Sequence, residues 1–218
     1  KTILKDYGIT TRNDVLNEMI IDGDKVINLS LINQTINNLT NDSIFFDELT
    51  ICNINIRIIQ SKTFEKISFG KITIEDEAVN LNDVHFDAFG VGANSVKHLE
   101  IQNQLPAFQS PNNFMILLNS FKNIEDIYIT SPKIISGLLK LPQLAFLIID
   151  GSNSKLAKLE FIDDFVFQEC DKLKFIDISY NKLNKITNNL FNFKNQSNDV
   201  LTLKLNNNQL NESSFESL

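Results

Sequence analysis

The feature that most constrains this chain is a pattern that returns after 27 residues near its C-terminal end. Leu173-x-x-Ile176-x-Ile178-x-x-Asn181-x-Leu183 comes back as Val200-x-x-Leu203-x-Leu205-x-x-Asn208-x-Leu210, so five positions match in type and spacing, both Asn among them. A period in this range means one structural unit per repeat, with an apolar face that no unit buries alone and that stacked neighbours bury together. The frame extends upstream with decay. Val26, Leu29, Leu31 and Ile36 fit it, with Gln34 at the Asn position; Phe46, Leu49, Ile51 and Ile56 fit, with Ile54 there. Phe69, Ile72, Ile74 and Val79 follow with Glu77, and Ile124, Ile127, Ile129 and Ile134 with Pro132. The weakest units are Val96-Leu99-Ile101, broken by Gln104 and Pro106, and Leu144-Leu147-Ile149.

The L-x-x-L-x-L-x-x-N-x-L pattern resembles the leucine-rich repeat superfamily. The resemblance implies an α/β leucine-rich repeat solenoid: a curved sheet of short parallel strands on the concave side, with irregular or short helical convex segments. Residues 26–218 then hold about eight repeats, starting at 26, 46, 69, 96, 124, 144, 173 and 200, and residues 1–25 form an N-terminal cap. A mixed α/β domain with coincidental L-x-L strands is the alternative. An Asn where the chain turns out of a strand can satisfy backbone groups as a ladder between coils. Phe45, Phe64, Phe86, Phe89, Phe165, Phe167, Phe191 and Phe193 recur in a shared phase, where the resemblance implies packing under the convex return. Within the cap, Asn13–Ile21 reads as a short helix with Asn13 as N-cap and Val15, Met19 and Ile20 on one face.

Composition enters as exclusion. A net charge of −7 argues against a nucleic-acid partner, since such affinity comes from clustered Lys and Arg. The longest apolar run, Leu144–Ile149, falls far short of the roughly 20 residues of a membrane span. Two Cys and two His leave little material for a metal site, and neither a metal nor any other cofactor is expected. Five strand spacings separate Cys52 from Cys170, roughly 24 Å, whereas a disulfide needs Cα atoms within about 7 Å; the two are expected not to pair, and Cys170 to point inward. Of 29 Asn, only Asn181 and Asn208 clearly hold the ladder position, so the repeat does not explain most of the rest, for which codon bias in an A/T-rich genome is the alternative.

No nucleophile elbow, phosphate-binding loop, H-E-x-x-H or C-x-x-C occurs. Gly70-Lys71-Ile72-Thr73 only echoes the end of a phosphate loop, His85 and His98 are isolated, and the acidic pairs Glu75-Asp76 and Asp163-Asp164 read as solvated turns. A non-catalytic protein is therefore expected.

Sequons stand at Asn28, Asn33, Asn38, Asn41, Asn195 and Asn211, which lean toward a secreted glycoprotein, with a cytoplasmic protein as the alternative. Lys1–Thr10 has no apolar stretch of signal-peptide length, as expected of a mature, cytosolic or partial chain. Phe86-Asp87-Ala88-Phe89-Gly90 followed by Asn94-Ser95-Val96-Lys97-His98-Leu99-Glu100-Ile101 resembles secreted arthropod leucine-rich repeat proteins, a group that includes the non-catalytic subunit of a shrimp luciferin monooxygenase. That resemblance implies extracellular protein binding.

In this frame the residues alternating with the core Leu and Ile line the concave face. Most are small or polar, but Phe146, Ile148 and Phe175 are not. With Tyr128, Asp177 and Tyr180 they form the candidate partner-binding patch, rimmed by Asp126, Asp150 and Asp177. The competing expectation is that a loop or the unframed segment Gln102–Asn123, with Pro106-Ala107-Phe108 and Phe114–Leu118, folds over this patch. Repeat eight stops at Leu218 with no closing segment in view, so the chain is cut there, continues natively, or is covered by a partner. A scaffold that self-associates through that end, as a homodimer, is the alternative function.

Overall fold

The computed structural model describes residues 9–12, 18–23, 44–54, 58–75, 83–102, 111–130, 132, 134–153, 158–194 and 200–215. Its main element is a nine-stranded sheet. The strands of that sheet are β1 (Ile9–Arg12), β2 (Glu18–Gly23), β3 (Ile44–Ile54), β5 (Ile67–Ile74), β7 (His98–Ile101), β8 (Asp126–Thr130), β10 (Phe146–Asp150), β12 (Phe175–Asp177) and β13 (Thr202–Lys204), in that spatial order. β1 pairs antiparallel to β2; every later neighbour pairs in parallel. Sequential parallel neighbours require the chain to return across the back after each strand, so the molecule is a parallel β-solenoid.

The register follows the L-x-L frame. Leu49, Ile72, Leu99, Ile127, Leu147, Ile176 and Leu203 stand opposite one another across seven strands. The first six are buried, as are Ile51, Ile74, Ile101, Ile129, Ile149 and Ile178 two residues further on; Leu203 and Leu205 in the last coil are half-buried. Period-two alternation puts these side chains on one face, and each full burial contributes about 1.5–3 kcal/mol. Both weak units, around Val96 and Leu144, hold their places, with Val96 and Leu144 buried.

The return side is built differently from expectation. Short strands form there: β4 (Ile58–Ile59) pairs in parallel with β6 (Asp83–Val84), and β9 (Ile134–Ile135) with β11 (Phe161–Ile162). Backbone bonds stitch the rest coil to coil, such as Phe64 N–H to Ala88 O (2.8 Å) and Leu139 N–H to Val166 O (2.9 Å). Among the described residues the one α-helix is α1 (Pro111–Leu118), accompanied by short 3-10 turns at Gly90–Ser95, Asn188–Phe191 and Glu212–Phe215. Phe64, Phe89 and Phe167 fill the interior under the return, and Phe64 and Phe89 stack at 5.3 Å. Phe121 extends that column, 5.5 Å from Phe89. Phe191 and Phe193 pack against the core half-buried. Phe45, Phe86 and Phe165 correct the expected phase: each is 40% exposed or more, because it lies one strand pleat or one turn residue away from the inward position.

Two N-terminal expectations are also corrected. Glu18–Ile21, assigned to a cap helix, is strand, and Asn13–Asn17 lie outside the described residues. An isolated helix of that length is marginal in water, whereas β-branched Ile20 and Ile21 suit a ladder that the edge of β3 offers. β2 also takes the position beside β3 that a strand at residues 28–31 was expected to hold; that repeat-one segment lies outside the described residues.

Cys52 and Cys170 are both buried and not joined to each other, and the Cys170 thiol sits 3.7 Å from Leu139 O. Burial pushes the Cys170 thiol up to about 12, against a partial offset from the backbone of Leu141.

Candidate functional site

The pairing register arranges the solvent-facing side chains of the long sheet into two columns. One runs Glu48, Lys71, His98, Asp126, Phe146, Phe175, Thr202; the other Thr50, Thr73, Glu100, Tyr128, Ile148, Asp177, Lys204. Chemistry changes along them. Over β3, β5 and β7 the columns are charged and internally satisfied. Lys71 Nζ lies 3.0 Å from Glu48 and 3.2 Å from Glu100, and the Thr73 hydroxyl donates to Glu48 at 2.8 Å. Burial alone would lower the Lys71 pKa, but the two carboxylates outweigh it and raise the value. His98 Nδ1 stands 2.6 Å from Asp126 Oδ2.

Over β8, β10 and β12 the face turns aromatic and apolar, and every residue expected in the binding patch meets there. Phe146 is 48% exposed and its ring lies 6.1 Å from that of Phe175. Ile148, Tyr128, Phe175 and Asp177 are half-buried, and Tyr180 is 48% exposed just beyond β12. The segment expected to cover this patch does not do so in its described part. α1 carries Phe114, Leu117 and Leu118 into the core and packs toward β9 on the return side, tied by Asn119 Nδ2 donating to Leu138 O at 2.9 Å. Residues 103–110, including Phe108, lie outside the described residues.

The Tyr128 hydroxyl donates to Asp150 at 2.8 Å, and the Ser152 N–H donates to the same carboxylate at 2.8 Å. Burial would raise the Asp150 pKa; the donors from Ser152 and Tyr128 prevail and hold it below the usual carboxylate range. Burial, together with the same pairing to Asp150, pushes Tyr128 up to about 12. Asp177 accepts from Ser179 N–H at 3.1 Å and pairs with Lys204 at 3.5 Å. Lys204 Nζ also rides 5.0 Å above the Phe175 ring, a cation–π arrangement. These groups surround an open hollow of about 370 Å³, lined by Tyr128, Ile148, Asp150, Asp177, Tyr180 and Lys204 with three small polar residues. Tyr128 and Ile148 separate it from a second hollow of about 160 Å³ beside His98 and Phe146.

The Asn ladder anchors this region. Asn181 is buried; its Nδ2 donates toward Ile149 O (2.9 Å), Ser179 O (3.0 Å) and Ile178 O (3.1 Å), and its Oδ1 accepts from Leu159 N–H (2.9 Å). Asn208 repeats the arrangement one coil later with Ile178 O, Leu205 O and Leu183 N–H. The residues before each ladder Asn, Tyr180 (φ 61°) and Asn207 (φ 58°), share the left-handed conformation. Asn tolerates it; Tyr does so at a cost.

The Lys204–Phe175 contact was not anticipated, although the 27-residue period already puts Lys204 opposite Asp177. Of the sequons, Asn211 is described and exposed, its side-chain oxygen accepting from the hydroxyls of Ser213 (2.7 Å) and Ser214 (3.2 Å). Asn28, Asn33, Asn38, Asn41 and Asn195 lie outside the described residues. No His/Cys/Asp/Glu cluster suited to a metal occurs among the described residues, and no helix among them is long and apolar enough to cross a membrane. No family model matches this sequence, and no curated protein matches it significantly.

Proposed function

We propose that the chain is a non-catalytic, protein-binding module of the leucine-rich repeat type, recognising its partner through the solvent face of the long sheet over β8 to β13. The Asn181 and Asn208 ladder supports the repeat type, since its bonds do what an Asn in that repeat position is suited to do. The observation that carries the binding reading is the exposure of Phe146 and Tyr180 beside half-buried Phe175 and Ile148, on a face whose earlier strands carry satisfied charges. Exposed aromatic groups rimmed by polar ones mark interaction surfaces, and aromatic anchors dominate their energetics. The exposed sequon at Asn211 supports a secreted glycoprotein.

The test is the double substitution Phe146→Asp with Phe175→Asp. It leaves the circular dichroism spectrum native and abolishes capture of the partner that the unaltered chain retains. Retained capture, or loss of the fold, refutes the reading. Glycosidase treatment of protein from its native source produces a mass shift, and Asn211→Gln reduces it; no shift refutes the secreted assignment.

A further inference from the structure

We infer that the hollow between Tyr128 and Tyr180 receives an arginine side chain of a protein partner, its guanidinium held between Asp150 and Asp177. The inference rests on reading this face as a protein-binding surface and adds the chemistry of what binds.

Charge complementarity is the first argument. Asp150 and Asp177 line the hollow, Asp126 stands beside His98 at the neighbouring one, and Lys204 is the cation among the side chains lining the first. Asp150 and Asp177 come from adjacent parallel strands, and both line the hollow. Each carboxylate offers about four acceptor sites. The bonds from Tyr128 and Ser152 to Asp150, and from Ser179 together with the Lys204 ion pair to Asp177, orient them without using all of those sites.

The second argument is a cation already seated at the rim. Lys204 Nζ is held by Asp177 and lies over the Phe175 ring, which is an internal example of the carboxylate-and-ring chemistry the hollow repeats with Asp150, Tyr128 and Tyr180. A planar guanidinium exploits such a site better than an ammonium, because it stacks on a ring and bridges two carboxylates at once. The apolar wall of Ile148 suits the arginine stem. Tyr180 provides a third argument. Its φ of 61° is unfavourable for a bulky residue, and the equivalent position one coil later carries Asn207, which suits that backbone. An aromatic ring therefore stands at the rim of the hollow in spite of its backbone.

The probes are the peptides acetyl-Leu-Arg-Leu-amide, its citrulline and lysine analogues, and acetyl-Leu-Glu-Leu-amide, titrated into 15N-labelled full chain. The Ser152 and Ser179 amide protons, which donate to Asp150 and Asp177, report the site directly. The arginine peptide produces saturable shifts at both amides. Asp150→Asn and Asp177→Asn each weaken its binding about tenfold, the loss expected when a charge-assisted hydrogen bond becomes neutral. Lys204→Met tightens it severalfold by removing the competing cation. Equal binding of the citrulline peptide overturns the charge argument, equal binding of the lysine peptide overturns the guanidinium assignment, and binding of the glutamate peptide overturns both. If the arginine peptide fails while Phe146→Asp with Phe175→Asp still abolishes partner capture, only this inference falls. If the arginine peptide binds but that double variant keeps its partner, the binding-face reading falls instead.

Discussion

Asn181→Ala tests the solenoid's internal logic, because one side chain joins three stretches of backbone. An amide nitrogen has two protons, so of the three carbonyls within reach of Nδ2 at most two are fully bonded at a time. Its removal strips two carbonyl partners and the acceptor for Leu159 N–H from a site where Asn181 is 4% exposed. Each buried group left without a partner costs about 1–3 kcal/mol. Three of them, with partial relaxation and some water entry, sum to about 3–5 kcal/mol, a large fraction of what an ordinary domain possesses. The half-buried Asn208, in the last described coil, costs about 1–2 kcal/mol by the same reasoning. Exposed Asn184→Ala stays within about 0.5 kcal/mol. Urea titration followed by far-ultraviolet circular dichroism measures all three. In a stack where each coil touches only its neighbours, the loss also makes the C-terminal coils open first, seen as an earlier phase in hydrogen exchange at Ile176 and Leu203. If Asn181→Ala is no more costly than Asn184→Ala, the ladder bonds are incidental and the account of the coil junctions is wrong.

Gly151→Ala is expected to destabilise by about 2–3 kcal/mol in the same assay, because a Cβ there would meet Tyr180 O at 2.3 Å and Asn181 Oδ1 at 2.6 Å. Tyr128 keeps its proton to about pH 12 in the native state. A raised folded pKa means stabilisation that is complete below about pH 10 and lost as pH climbs to about 12. Absorbance at the tyrosinate band shows a late step that Tyr128→Phe removes, and loss of a step at ordinary tyrosine pH in that variant, with the late region unchanged, would contradict the Asp150 contact. Neither buried thiol reacts with Ellman's reagent near pH 8 until urea unfolds the chain, and fast native reaction of Cys170 would contradict its raised pKa.

The apolar frame was legible wherever a side chain alternated in or out over a short strand. That holds even at Val96 and Leu144, where the wider motif had decayed, because period two depends on adjacent residues only. The outward aromatic patch was legible for the same reason: Phe146, Ile148 and Phe175 occupy outward positions of strands whose inward positions were plain. The helix expected over Asn13–Ile21 was misread at Glu18–Ile21 because the segment satisfies a local helical pattern, while the competing sheet edge belongs to β3, some 30 residues downstream in the register that pairs Met19 with Leu49. The phenylalanines were half legible. A shared phase located the return segment but not which ring in pairs such as Phe86 and Phe89 turns inward, since turns lack the alternation that strands impose.

What the amino-acid order determined by itself is the stack: a repeating L-x-L unit cannot bury its face alone, so coils must align, and alignment sets the neighbours across the sheet. What only the tertiary structure decided is everything that depends on atoms meeting between coils. The seating of Lys204 over Phe175, the Tyr128–Asp150 bond, the pairing of β9 with β11 and the turn of α1 into the core all join residues about 20 or more positions apart or on different elements. Hydrophobic burial tolerates small shifts and is encoded residue by residue; hydrogen bonds and ring contacts fail over an ångström, and that ångström is set by the twist and length of every intervening loop.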